Sequence, residues 1–258
     1  MVYTICVILH TAASIFYCGG AVVQKKNIIF SAICLIIFTA FCVLMINAVL
    51  NMEVKTSSVN VKYLPTIVID AGHGGEDGGT VSADGILEKD VNLAISNDIY
   101  DLLCFLGFDV IRTRDKDISL NTSESTIRAR KVADMKKRLE IYNSSDKNVI
   151  ISIHQNQFSE SKYHGTQLFY SPNKPESKQL ADKIKRSVKK QIQPDNERES
   201  KQSDNGIYLL KNAQTPAVIV ECGFLSNPEE CQKLISDEYQ KQISYAIVTG
   251  FLDYYNTN

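Results

Sequence analysis

Residues 66–79 read TIVIDAGHGGEDGG. Five residues rich in β-branched side chains run into a histidine set among glycines. This is the form of a buried strand that ends in a sharp turn, with an imidazole at its carboxyl end. Two later stretches repeat the form. NVIISIH (148–154) ends on His154, and AVIVE (217–221) ends on Glu221. Between these strands lie helical patterns. Lys89 to Leu106 carries apolar residues at helical spacing and stops at Gly107. Glu124 to Tyr142 is charged and amphipathic, and Glu176 to Gln191 is a third helix. FDVIRTR (108–114), GTQLFYS (165–171) and IYLL (207–210) read as further strands, Gln193 to Asn205 as a loop, and Pro228 to Tyr255 as two final helices. Strands interleaved with helices predict an α/β fold: a three-layer domain with a central mixed sheet flanked by helices, over residues 66–258.

The N-terminal part is different. Residues 28–50, IIFSAICLIIFTAFCVLMINAVL, form an unbroken apolar run. At 1.5 Å per residue this spans the ~30 Å hydrocarbon core of a bilayer. The competing reading is a cleaved signal peptide, but the run is long for one, which favours a retained transmembrane anchor. Lys25 and Lys26 precede it, so the positive-inside rule puts everything after Leu50 outside the cytoplasm. Met1 to Val23 is also apolar. It reads either as a second span or as sequence upstream of a true start near Val22 or Val23. Residues 51–65 form a polar linker that Pro65 ends.

Over the whole chain of 258 residues, 28 Lys+Arg against 29 Asp+Glu leave a net charge of -1. That balance argues against a nucleic-acid binder, which needs a basic excess. Lys25, Lys26 and Lys55 against Glu53 give the first sixty residues +2, so the rest holds -3. Four of the seven cysteines (Cys6, Cys18, Cys34, Cys42) lie in the apolar N-terminus. Cys104, Cys222 and Cys231 fit no disulfide framework. A Cys222–Cys231 bridge is conceivable, and free buried thiols are the default.

His73, His154 and Glu221 share one address, the carboxyl ends of strands, where open α/β sheets bind ligands. If their strands are parallel neighbours, the three converge. Glu88, at the start of the first helix, is a fourth candidate. Imidazoles and carboxylates in this number suit zinc, which keeps one position for water in hydrolytic sites. The alternatives are a phosphate cradle in the glycine loop, which lacks the G-x-G-x-x-G and Walker spacings, and for Glu88 a first-turn acid favoured by the helix dipole. Asp70 and Asn156 are candidates for supporting or substrate contacts, or for turn caps. Arg128 and Arg130 read as substrate-carboxylate contacts or as a solvated helix face. Gln155 reads as narrowing the groove or contacting glycan. His164 reads as solvent-exposed.

IVIDAGHGGEDGG, Glu88, SIHQN and VIVECGFLSNPEE, in that order, closely resemble the zinc-dependent N-acetylmuramoyl-L-alanine amidases of the amidase-3 type. The resemblance covers Thr66 to about Tyr255. It implies a mixed sheet flanked by helices, Zn2+ on His73, Glu88 and His154, and Glu221 as the catalytic base. STIRARKVADMKKRLEIYN (125–143), YSPNKPESKQLA (170–181) and YLLKN (208–212) look like the CwlD subgroup of spore-cortex amidases. That likeness implies removal of stem peptides from cortex peptidoglycan as a step to muramic-δ-lactam, alongside a peptidoglycan deacetylase, before germination. Some family members insert an occluding helix after the SIH motif. The ten residues between His154 and Gly165 leave no room for one, which implies external regulation, such as an activating partner protein. The competing functions are a zinc peptidase cutting within the stem and a non-catalytic peptidoglycan-binding protein.

Overall fold

A computed structural model describes residues 25–50, 64–121, 123–204 and 206–257. The chain divides into two units at Val61/Lys62. In the first, α1 (Lys25–Leu50) is a helix of 26 residues. It begins at the lysine pair, three residues before the apolar run, because nothing in KKN breaks a helix. Phe30 is 68% exposed and Leu44 67%. Among the residues whose side chains are described, no helix is long and apolar enough to cross a membrane. The readings of Met1–Val23 and of the linker, except Leu64 and Pro65, lie outside the described residues.

The second unit is built on a six-stranded sheet of order β2-β1-β3-β6-β4-β5. Its strands are β1 (Thr66–Ala71), β2 (Asp109–Arg112), β3 (Asn148–Asn156), β4 (Gln167–Tyr170), β5 (Lys201–Gln202) and β6 (Ala217–Phe224). β2, β1, β3 and β6 run parallel. β4 pairs antiparallel with β6 and parallel with β5, so the sheet is mixed. The central strands are buried on both faces, which is why they read as continuous apolar runs rather than alternating ones.

Alternation along those strands still sorts the two faces. Ile67, Ile69, Val149, Ile151, Val218 and Val220 pack into the larger core. Opposite them lie α2 (Glu88–Phe105), α4 (Pro175–Gln191), α6 (Pro228–Leu234) and α7 (Asp237–Thr257). Val68, Ile150, Ala217 and Ile219 face the smaller core with α3 (Ile127–Tyr142) and α5 (Tyr208–Asn212). The result is three layers. The helix breaks follow local chemistry. Thr126 Oγ1 caps α3 by accepting from Ala129 N, Asn227 caps α6 by accepting from Glu230 N, and Pro175 and Pro228 stand in the first turns of α4 and α6.

Two expectations need correction, and the default for Cys222 and Cys231 holds. IYLL is not a strand: Tyr208 to Asn212 is a short helix. Four apolar residues do not distinguish the two forms. Here Leu209 and Leu210 bury together against the Ile219 face while Tyr208 stays 38% exposed. The polar stretch 193–205 is not all loop, because Lys201 and Gln202 add an edge strand to β4. Cys222 and Cys231 are both buried and both free.

Candidate active site

The parallel strands deliver their carboxyl ends to one edge of the sheet. β1 pairs Asp70 with Ser152, and β3 pairs His154 with Glu221. Asp70, Ser152, His154 and Glu221 therefore share the α3/α5 face, with Val68, Ile150 and Ile219 below them. Glu88 reaches the same edge from the first turn of α2. His73 enters from the glycine turn with φ 63°, the one described non-glycine residue in the left-handed region. A conformation of that kind costs ~1–3 kcal/mol and persists only where its surroundings hold it.

Glu88 is the centre of the cluster and is 2% exposed. Its Oε2 lies 3.2 Å from His73 Nε2 and its Oε1 3.0 Å from His154 Nδ1. Thr80 N donates to Oε2, and Gln155 N and Asn92 Nδ2 donate to Oε1. The two imidazoles stand nearly perpendicular, with centroids 5.0 Å apart. One donor atom from each of His73, Glu88 and His154 lies within 4.8 Å of the others. The other nitrogen of His73 is 2.9 Å from Asp77 Oδ2, and Lys131 Nζ donates to Asp77 Oδ1 at 2.7 Å. A carboxylate behind an imidazole in this way fixes the ring's tautomer and orientation for a metal.

Burial favours the neutral form of each of these groups, and their contacts override it. Hydrogen bonds from His154 and His73 hold the Glu88 carboxyl well below the usual carboxylate range. Asp77 is held low by His73 and Lys131, and His73 is pulled up to about 9 by Asp77 and Glu88. Glu221 behaves oppositely. It is partly buried, its Oε2 is sheltered, and that atom has no hydrogen-bond partner. Burial, with the charge of Glu88, pushes it up to about 7 despite the two histidines.

The site fits a small divalent ion such as zinc. The donors are two imidazoles and a carboxylate, the set zinc favours. The backbone around them is cut back to make room. A Cβ on Gly72 would lie 2.3 Å from the His154 ring, and one on Gly79 2.5 Å from Glu88 Oε2. A cleft of about 350 Å³ opens over the cluster, with Met135, Ile207, Tyr208 and Ile219 supplying apolar walls and Glu221 reaching into it.

The remaining sequence candidates separate. Asp70 is fully buried and is neither a turn cap nor open to substrate. It accepts from Thr113 Oγ1, Ser152 Oγ and Tyr142 Oη and pairs with Arg138. Gln155 points away from the cleft into the larger core and donates to Asn92 Oδ1, so it neither narrows the groove nor reaches glycan. Asn156 accepts a local bond from Gln157 N. Arg128 and His164 are exposed. Arg130 pairs with Glu76 of the glycine turn at 2.8 Å. Residues 157–166 hold no helix. Sequence reading missed Asp77, Asn92, Arg114 and Arg138. Asp77 was open to discovery, since it stands four residues after His73 in the same turn.

A mixed α/β sheet with a His–Glu–His cluster and an unpaired glutamate at the parallel strand ends defines a hydrolase site. The family profile described as N-acetylmuramoyl-L-alanine amidase matches residues 67–253. The chain belongs to the amidase-3 family of N-acetylmuramoyl-L-alanine amidases. The germination-specific N-acetylmuramoyl-L-alanine amidase of Bacillus subtilis (strain 168) is 36% identical over 191 residues, 73% of this chain and 79% of that protein. The CwlD amidase from Clostridioides difficile, solved in complex with the GerS lipoprotein, is 42% identical with a TM-score of 0.73, covering 75% of this chain and 100% of that one. AmiC2 of Nostoc punctiforme shares 28% identity and a TM-score of 0.62, over 74% of this chain and 97% of that one.

Proposed function

We propose that residues 66–258 form a zinc-dependent catalytic domain that hydrolyses the amide between N-acetylmuramic acid and L-alanine in spore-cortex peptidoglycan. The observation that carries this reading is Glu88 lying between His73 and His154, with Glu221 paired to His154 in the next strand. His73, Glu88 and His154 would hold the ion. Bound there, zinc supplies a Lewis acid for the lactyl carbonyl and for the oxyanion that follows. Glu221 takes a proton from the attacking water. The water oxygen bonds to the carbonyl carbon, and Glu221 passes that proton to the nitrogen of L-alanine as the carbon–nitrogen bond breaks. Its sheltered, unpaired oxygen supports this role, because no protein donor competes for it.

The cortex role rests on likeness to a germination-specific relative and to CwlD. In it the product is a stripped muramic acid, which a deacetylase-dependent step then closes to muramic-δ-lactam. The apolar helix Lys25–Leu50 would serve as a membrane anchor that leaves the catalytic domain extracytoplasmic. An activating partner protein is part of the same reading, supported by a relative solved with a lipoprotein.

The test is digestion of purified cortex-type and vegetative peptidoglycan, with and without zinc, followed by mass analysis. Release of intact stem peptides beginning with L-alanine is expected. Fragments cut within the stem would replace this reading with a peptidase.

A further inference from the structure

Where β1 ends, three successive carbonyls leave the sheet together, and two buried arginines take all three. Arg138 donates through Nη1 to Ala71 O at 2.8 Å and through Nη2 to His73 O at 2.6 Å. Arg114 donates through Nε to Ala71 O at 2.9 Å and through Nη2 to Gly72 O at 3.0 Å. The same Nη2 also donates to Lys89 O at 2.7 Å. One nitrogen thus bridges the residue before His73 and the residue after Glu88. Each arginine is 3% exposed, and Arg138 lies beneath the cleft among its lining residues. Arg138 is further fixed by Asp70 and by Asp134, whose Oδ2 is 2.6 Å from its Nε.

We propose that Arg114 and Arg138 are positioning residues for the metal centre: their double fork on the carbonyls of residues 71–73 holds His73 in its left-handed conformation at a set distance from Glu88. The proposal rests on the reading of His73, Glu88 and His154 as ligands. The chemistry requires arginine. A planar guanidinium spans two carbonyls at fixed separation, whereas a lysine ammonium is a single point at the end of a flexible stem. Gly72 O also accepts from Asn92 Nδ2 at 3.1 Å, so His73 O, held by Arg138, is the carbonyl that would be left bare. It would rotate to find a donor, turning His73 with it. Loss of Arg114 frees the link between Gly72 O and Lys89 O.

The experiment uses the full chain in mild detergent, stripped of metal and titrated with zinc against a chromophoric chelator. Arg114→Lys and Arg138→Lys keep the charge and remove the fork. Each is expected to weaken zinc binding by about 10–100-fold, the range for supporting residues of metal ligands. At saturating cobalt, the ligand-field spectrum should also change in position or intensity, which loss of stability alone does not cause. Tyr142→Phe removes a bond to Asp70 but no carbonyl contact, so it should lower thermal stability and leave zinc affinity and the cobalt spectrum unchanged. If Arg138→Lys does not fold, Arg114→Lys decides, since its hydrogen-bond partners are backbone carbonyls and no buried ion pair is broken. Folded lysine variants with wild-type affinity and spectrum would overturn the proposal. His73→Ala separates the two readings: undiminished zinc affinity in that variant rejects the ligand assignment itself, whereas its loss alongside unaffected lysine variants rejects only the clamp.

Discussion

His154 and Glu221 are register partners in adjacent parallel strands, so the backbone of the sheet sets the spacing between an imidazole and the unpaired carboxyl. No loop intervenes. Replacing Glu221 with its amide therefore changes the chemistry and leaves the frame. Glu221→Gln is expected to retain bound zinc and lose about 10²–10⁴-fold in turnover, as for removal of a general acid–base. Product mass analysis and metal content check both halves. The same variant has a pH signature in the metal-free protein. Glu221 titrates at 4.5 unperturbed and near 7 in the fold, so the folded state holds its proton more tightly. Its contribution falls as pH rises from about 4.5 to 7. Metal-free Glu221→Gln should thus melt no lower than wild type at pH 8.

Asp70 should behave as a foundation of the domain. It is buried against Arg138, and Asp70→Asn removes the more deeply buried of that guanidinium's two carboxylate partners, leaving Asp134. Breaking such a pair costs about 3–5 kcal/mol. Denaturant titration would measure it. Burial alone would raise the Asp70 pKa, but Arg138, Ser152 and Tyr142 hold it well below 3.8. A depressed folded value means the stabilisation is fully present above about pH 4 and is lost as pH falls below it. The acid limb of the melting curve should be shallower in Asp70→Asn.

Gly72 has no left-handed backbone to explain it, and alanine would fit its conformation. The obstacle is the His154 ring, 2.3 Å from the missing Cβ. Gly72→Ala is expected to fold, displace that ring, and lower zinc affinity at least about tenfold. Chelator competition and circular dichroism together read this out.

Cys222 and Cys231 are buried thiols, and burial, with Glu221 nearby, pushes the Cys222 thiol well above its usual range. A thiol-specific reagent should label exposed Cys104 in the native protein and reach Cys222 and Cys231 only after denaturation. Peptide mapping without reduction should find no peptide joining the two.

The fold was legible where the chemistry is local. TIVID, NVIISIH and AVIVE declare buried parallel strands, and each places a polar residue at the end where the crevice opens. What was not legible depends on distant partners. Asp70 read equally as a contact or a cap, because Arg138 lies 68 residues away on a helix that resembles a solvated face. IYLL is too short for its period to show. Gln155 is instructive in another way, since period-two alternation already required it to face away from His154. Its burial against Asn92 follows from that rule.

The three clustered donors are far apart in the chain, and 66 residues separate Glu88 from His154. A metal joining them would act as a cross-link that closes long loops, and such closures remove more freedom from the unfolded chain than short ones do. The unfolded protein offers no assembled site, so each increment of metal affinity is also an increment of fold stability. Zinc supply would then govern how long the folded domain persists as well as how fast it works.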